Sequence, residues 1–158
     1  MNFTDSAAII KHIIMNQIFK VASCFEILCL AASNIFFDQV MSDIGNMVLE
    51  FKTITKPLDK QDRHNPDILN MQGVLNSFIT DFPKISSETY KSIFCIKKIE
   101  ELNNAVDSIR DSENLMRHNT LLWFCNKLRR EMIVTTPKII KHWKEQSQAL
   151  QLMRSLFD

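Results

Sequence analysis

Polar side chains recur along the opening segment at His12, Asn16, Lys20, Ser23 and Glu26, and again at Asn34, Asp38, Ser42 and Asn46. Steps of three to four residues place them on one face of a helix. Between and around them lies the most apolar stretch of the chain, Ile18 to Phe37 (IFKVASCFEILCLAASNIFF), uninterrupted by any polar residue from Ile27 to Ala32. This pattern predicts a core helix with little exposed surface, and it implies that Leu28→Asp would unfold the domain by burying an unpaired charge. Thr4 or Asp5 can cap the helix start. Helical patterning runs from about residue 5 to residue 52, which as one rod would be ~70 Å long. That exceeds what a domain of this size accommodates, so two or three packed segments are expected, with breaks near Ser33-Asn34 or at Gly45. A membrane span is not expected. Lys20, Glu26 and Asn34 interrupt the stretch, and its unbroken apolar run falls well short of the ~18 residues a span requires.

Further along, Thr53–Asn65 (TITKPLDKQDRHN) is polar and aperiodic and reads as a linker, about 53–65, within a single helical domain spanning 1–158. Asn65-Pro66-Asp67 is a helix start with asparagine at the N-cap and proline at N1, followed by Ile68, Leu69, Met71, Val74, Leu75, Phe78 and Ile79. Ser86 or Ser87 caps the next helix, whose apolar set runs from Tyr90 through Ile93, Phe94, Ile96, Ile99, Leu102 and Val106 to Ile109, with Lys97 and Glu101 paired i,i+4 on its outer face. A break is expected around Asp111–Glu113, with Ser112 capping a helix to about Val134. Its apolar patch Leu121–Cys125 (LLWFC) is suited to packing on the opening helix. Thr136-Pro137 repeats the cap-and-proline signal and predicts a separate last helix. There Ile139, Trp143, Gln146, Leu150, Met153 and Phe157 alternate in steps of four and three. Fewer than three heptads favour packing within the chain, with a homo-oligomer as the alternative. Leu102 to Asp107 (LNNAVD) spaces a leucine and an aspartate as a BH3 helix does, but Val106 stands where that motif has a small residue, so no family membership follows.

Composition sharpens the class. Only Gly45 and Gly73 are present among 158 residues, too few for the hairpin turns and bulges of a sheet protein. The expected fold is therefore all-α, a compact helical bundle of about five to seven helices around an apolar core helix from the N-terminal half. The same scarcity excludes dinucleotide folds, P-loops, protein kinases and nucleophile elbows, which need several glycines at fixed spacing. Net charge is +1, which argues for no overall attraction to nucleic acid or membrane. The four cysteines, Cys24, Cys29, Cys95 and Cys125, lie among apolar neighbours, where cysteine behaves as a small hydrophobe. With no basic region followed by an apolar run at the start, reduced thiols and an intracellular location, cytoplasmic or nuclear, are expected.

Candidate chemistry is sparse. Lys127, Arg129, Arg130, Lys138, Lys141 and Lys144, with Trp143 among them, form a basic cluster interrupted only by Glu131 and Glu145. Such a cluster can contact phosphates or an acidic partner. It can also be a solvated face, with Lys127, Arg129 and Arg130 favourably close to a helix C-terminus. His12, His64, His118 and His142 stand at no zinc-box or di-iron spacing, so no metal and no cofactor is expected. His118 and Cys125 share a helix face, but their seven-residue separation sets the α-carbons ~10 Å apart, too far for a nucleophile–base pair. Asp107 and Asp111 read as an exposed acidic face. No catalytic residue is expected. By elimination, the sequence reads as a non-enzymatic protein–protein interaction or assembly subunit, with a partner held in a hydrophobic groove or on the C-terminal helix. Nucleic-acid association through residues 127–144 is the second reading. A secreted, cytokine-like bundle is the third.

Overall fold

The opening stripe of polar and apolar residues forms one helix. In the computed structural model, which describes residues 3–156 except the side chains of residues 3, 4, 22, 25–27, 29 and 30, helix α1 runs without interruption from Phe3–Thr55, 53 residues. At 1.5 Å per residue it is about 80 Å long. Neither Ser33-Asn34 nor Gly45 breaks it, contrary to the expectation of two or three packed segments. The expected limit on length does not apply, because among the described side chains only those in the second half of the helix are buried in the bundle. None of the described side chains from 5 to 32 is buried. Burial begins at Ser33 and continues through Phe37, Val40, Ile44, Met47 and Phe51, in the three- and four-residue steps of a single covered face. The reading of Ile18–Phe37 as a core helix with little exposed surface is thus corrected for its described side chains, those of residues 22, 25–27, 29 and 30 lying outside the description. Within that stretch Val21 is 65% exposed, Leu28 67% and Ile35 72%.

The remaining elements are short helices with identifiable starts. Asp59 caps α2 (Lys60–Arg63) by accepting from the Asp62 amide at 2.8 Å. Asn65 caps α3 (Pro66–Asp81), its side chain accepting from the Asp67 amide at 2.9 Å with Pro66 at the first helical position. This is the start that the sequence predicts. A 3-10 turn over Phe82–Lys84 leads to α4 (Glu88–Arg110), capped by Ser87. Four residues then form α5 (Glu113–Met116), and α6 follows as Asn119–Ser155. The described residues therefore form six α-helices and one 3-10 turn, without a strand, the all-α bundle expected from the composition.

The last helix does not begin at Pro137 but passes through it. Proline has no N–H to give the carbonyl four residues back, here that of Ile133. Both Pro137 and Ile133 are exposed, so water can serve that carbonyl. On the opposite side Leu128, Met132 and Ile139 are buried on either side of the proline, and this packing holds the helix continuous. Thr136 does not cap a new helix, since its hydroxyl donates to the Met132 carbonyl at 2.7 Å.

The core lies among the second half of α1, α3, α4 and the first half of α6. Phe51 of α1 meets Phe124 of α6 at 5.1 Å between ring centroids, and Phe78 of α3 meets Phe94 of α4 at 5.8 Å. Leu121, Phe124 and Cys125 of the LLWFC patch are buried against α1 and its neighbours, while Trp123 is exposed. Contacts between Ser33 and His142 and between Glu50 and Lys127 show that α1 and α6 run antiparallel. The polar segment 53–65 is tied into the same core by buried Leu58 and Asp62. On the outer face of α4, Glu101 pairs with Lys98 at 3.0 Å and not with Lys97.

Two predictions follow from burial. Leu28→Asp leaves the bundle with a cooperative thermal transition, because the side chain lies outside its core, whereas Leu102→Asp, in a fully buried position, abolishes that transition. Circular dichroism melts of the two variants check this. A Cβ added at Gly45 or Gly73 meets nothing within 4 Å, and neither glycine has a positive φ. Each Gly→Ala change therefore stabilises by about 0.5–1 kcal/mol, readable as a higher urea midpoint.

Candidate functional site

Two polar clusters are assembled from residues far apart in sequence. The first joins three helices where α1 leaves the core. Buried Ser33 on α1 donates its hydroxyl to the Glu88 carboxylate in the first turn of α4. His142 Nε2 of α6 lies 3.1 Å from the same serine oxygen. Lys91 pairs with Glu88 at 3.1 Å, and the imidazole stacks on Phe36 at 4.4 Å with its edge toward Phe37 at 5.4 Å. Serine, histidine and a carboxylate suggest a hydrolase triad, but the order of bonds is wrong for one. The serine proton goes to Glu88, which leaves His142 to donate to the serine oxygen and not to abstract from it. Ser33 is also sealed from solvent, with no approach for a substrate. Burial holds the His142 pKa below its ordinary value, against the opposing pull of Glu88 and Glu145. The cluster is a polar clasp between α1, α4 and α6.

The second cluster holds the segment between α1 and α3. Asp62 of α2 is buried and receives Arg117 Nη2 at 2.6 Å and His118 Nε2 at 2.7 Å, both from the junction of α5 and α6. Arg117 also reaches Asp59 at 3.4 Å. The hydrogen bonds from His118 and then Arg117 hold the Asp62 carboxyl below the ordinary carboxylate range. His118 is thereby committed to Asp62. Cys125 lies buried about two turns away, its thiol pushed up to about 11 by desolvation. Buried Cys95 is pushed up to about 12 for the same reason. Neither thiol is poised as a nucleophile. Cys24, in contrast, is free and exposed. Among the described residues no three His, Cys, Asp or Glu side chains are grouped to hold a metal ion.

The basic residues of α6 divide into two sets. Lys127 pairs with Glu50 at 2.9 Å and lies 5.2 Å from the centre of the Trp123 ring. Arg129 pairs with Asp107 and reaches the Asn103 carbonyl at 3.4 Å. These two are bound into the bundle. Arg130, Lys138, Lys141 and Lys144 are exposed, and of these only Lys141 has a carboxylate partner among the described residues, Glu145 at 3.8 Å. Lys141 and Lys144 rim a shallow open depression with Thr136, Pro137 and Ile140. Trp143 is partly exposed.

The largest feature left over is apolar. Ile9, Ile10, Ile13, Ile14, Phe19, Val21, Leu28 and Ile35 are all exposed along the first part of α1. This exceeds the scattered single hydrophobes that a monomeric surface ordinarily shows. The gap between Val40, Ile44, Met47, Phe78, Ile99, Leu128 and Met132 in the core is also apolar, but it is of the order of a water molecule and takes no helix. Sequence reasoning missed the exposed face because it assigned the same residues to the core. The chain matches no protein-family model, no curated protein and no solved structure.

The two polar clusters predict two acid-sensitive windows. Unfolded His142 protonates near 6.5, whereas the folded site resists the proton. Stability therefore falls as pH drops below about 6.5 and levels off once the folded site is protonated. Asp62 is depressed from 3.8, so its contribution is complete above that value and is lost as pH falls through its lower folded pKa. Urea melts from pH 8 to pH 3 should show both steps, with His142→Gln removing the upper one and Asp62→Asn the lower.

Proposed function

We propose that the protein is a non-enzymatic helical assembly subunit that binds other protein through the uncovered half of α1. The exposed apolar face from Ile9 to Ile35 carries this reading. Water contact with that many large aliphatic side chains is unfavourable by about 25 cal/mol per Å² of apolar surface, and covering them releases it. The bundle supplies a rigid base. Helix α1 enters the core at Ser33 with no break between the covered and uncovered parts, so the face is presented at a fixed angle.

A second reading rests on the α6 surface. Arg130, Lys138 and Lys144 are exposed without an ion-pair partner among the described residues, a disposition suited to phosphate contact. Glu131 and Glu145 share the surface, which places this reading below the first.

Both are tested by charge substitution on a folded chain. Capture from the native cell with wild type and with a Val21→Asp/Leu28→Asp variant should recover partners only for wild type, while the two give the same circular dichroism spectrum. Equal recovery by both would remove the assembly reading. For the second, Lys138→Glu/Lys141→Glu/Lys144→Glu should weaken binding to single-stranded and duplex nucleic acid at low salt. Unchanged binding, or none in wild type, removes it.

A further inference from the structure

We infer that the uncovered half of α1 pairs with the same half of a second copy of this chain, as a parallel two-stranded coiled coil. The inference rests on the assembly reading above and names its partner. Ile14, Val21, Leu28 and Ile35 recur at intervals of seven and are all exposed. Ile10, Gln17, Cys24 and Ala31 form a second set of seven, four residues ahead of the first, and are exposed as well. Together they make alternating steps of four and three over more than three heptads, a seam of a and d positions. The seam lies on the far side of the helix from Ser33, Phe37, Val40, Ile44 and Met47, which face the bundle. A second helix can therefore reach it without displacing α6 or any part of the core.

Three observations select a second copy. A strict seven-residue repeat is self-complementary, because a helix carrying it presents to its twin the same knobs and holes that the twin presents to it. No charged residue occupies any of the eight seam positions, so pairing with an identical chain brings no like charges together. The area is also sufficient. Burying an aliphatic side chain removes roughly 60–120 Å² of apolar surface. The five large aliphatic seam residues, Ile10, Ile14, Val21, Leu28 and Ile35, with flanking Ile13 and Ile18, thus approach the ~800 Å² per partner of a stable interface. The a positions choose the geometry. Ile14, Val21 and Ile35 are β-branched, the preference of two-stranded parallel coils at a, and the polar Gln17 at d meets its own twin only in the in-register pairing, where it is not set against an apolar side chain.

In this arrangement the two Cys24 thiols face each other across the seam at a d position, which gives the test an internal reporter. The purified 158-residue chain, examined by light scattering under reducing conditions, should have twice the 18.4 kDa chain mass, and Val21→Asp/Leu28→Asp should halve it with the helical spectrum retained. Mild oxidation of wild type should give a covalent dimer that Cys24→Ser prevents while the non-covalent dimer persists. A monomer at every accessible concentration overturns the proposal, as does a dimer indifferent to the charge substitutions. A charge-sensitive dimer that never cross-links through Cys24 overturns the parallel arrangement. If the chain is monomeric yet wild type, unlike the charge variant, still captures other proteins, the assembly reading survives and only the second copy is excluded.

Discussion

The contact on which the rest of the molecule depends is the burial of one face of α1, from Phe37 to Phe51, against α3 and α6. It joins the longest helix to the bundle and decides which part of that helix is structural. Helices α3 and α4 have 16 and 23 residues, about 24 and 35 Å at 1.5 Å per residue, against about 80 Å for α1. They cannot cover it from end to end. Only α6 continues alongside, and beyond Ile139 it too has no fully buried described residue. The uncovered apolar half of α1 is therefore a consequence of unequal helix lengths.

Polar groups mark the edges of this contact. The Ser33–Glu88–His142 clasp sits where α1 leaves the core, and the Asp62–Arg117–His118 cluster sits at the opposite end, where the chain turns from α1 into α3. Each satisfies buried hydrogen-bonding groups that would otherwise cost about 1–3 kcal/mol. Each also ties together elements that α-helical periodicity alone leaves independent. Their chemistry resembles that of active sites only in its residue types. In both, the histidine is committed to a partner that stabilises the fold.

Local signals were legible in the sequence to the extent that local forces decide them. Two glycines in 158 residues indicated an all-α chain, and Asn65-Pro66 and Ser87 marked helix starts because capping is a matter of a few adjacent residues. Pro137 misled because its cost depends on whether the orphaned Ile133 carbonyl faces water, which only tertiary structure determines. Neither polar cluster was legible, as Ser33 and His142 are 109 residues apart and Asp62 and His118 are 56 apart. The repeat Ile14, Val21, Leu28, Ile35 was visible in principle. Hydrophobicity alone does not say which apolar face finds a partner inside the chain, and the seven-residue interval went unread once the whole segment was assigned to the core. Within the basic cluster, sequence could not separate Lys127 and Arg129, which meet Glu50 and Asp107, from Arg130, Lys138 and Lys144, which meet no carboxylate among the described residues.

The continuity of α1 has a mechanical consequence. A helix with no proline, no glycine before residue 45 and no break at its exit from the bundle behaves as a lever whose fulcrum is the Ser33 clasp. Whatever grips its far end fixes the orientation of the whole bundle with it, and a torque applied there is felt first by a serine, a glutamate and a histidine.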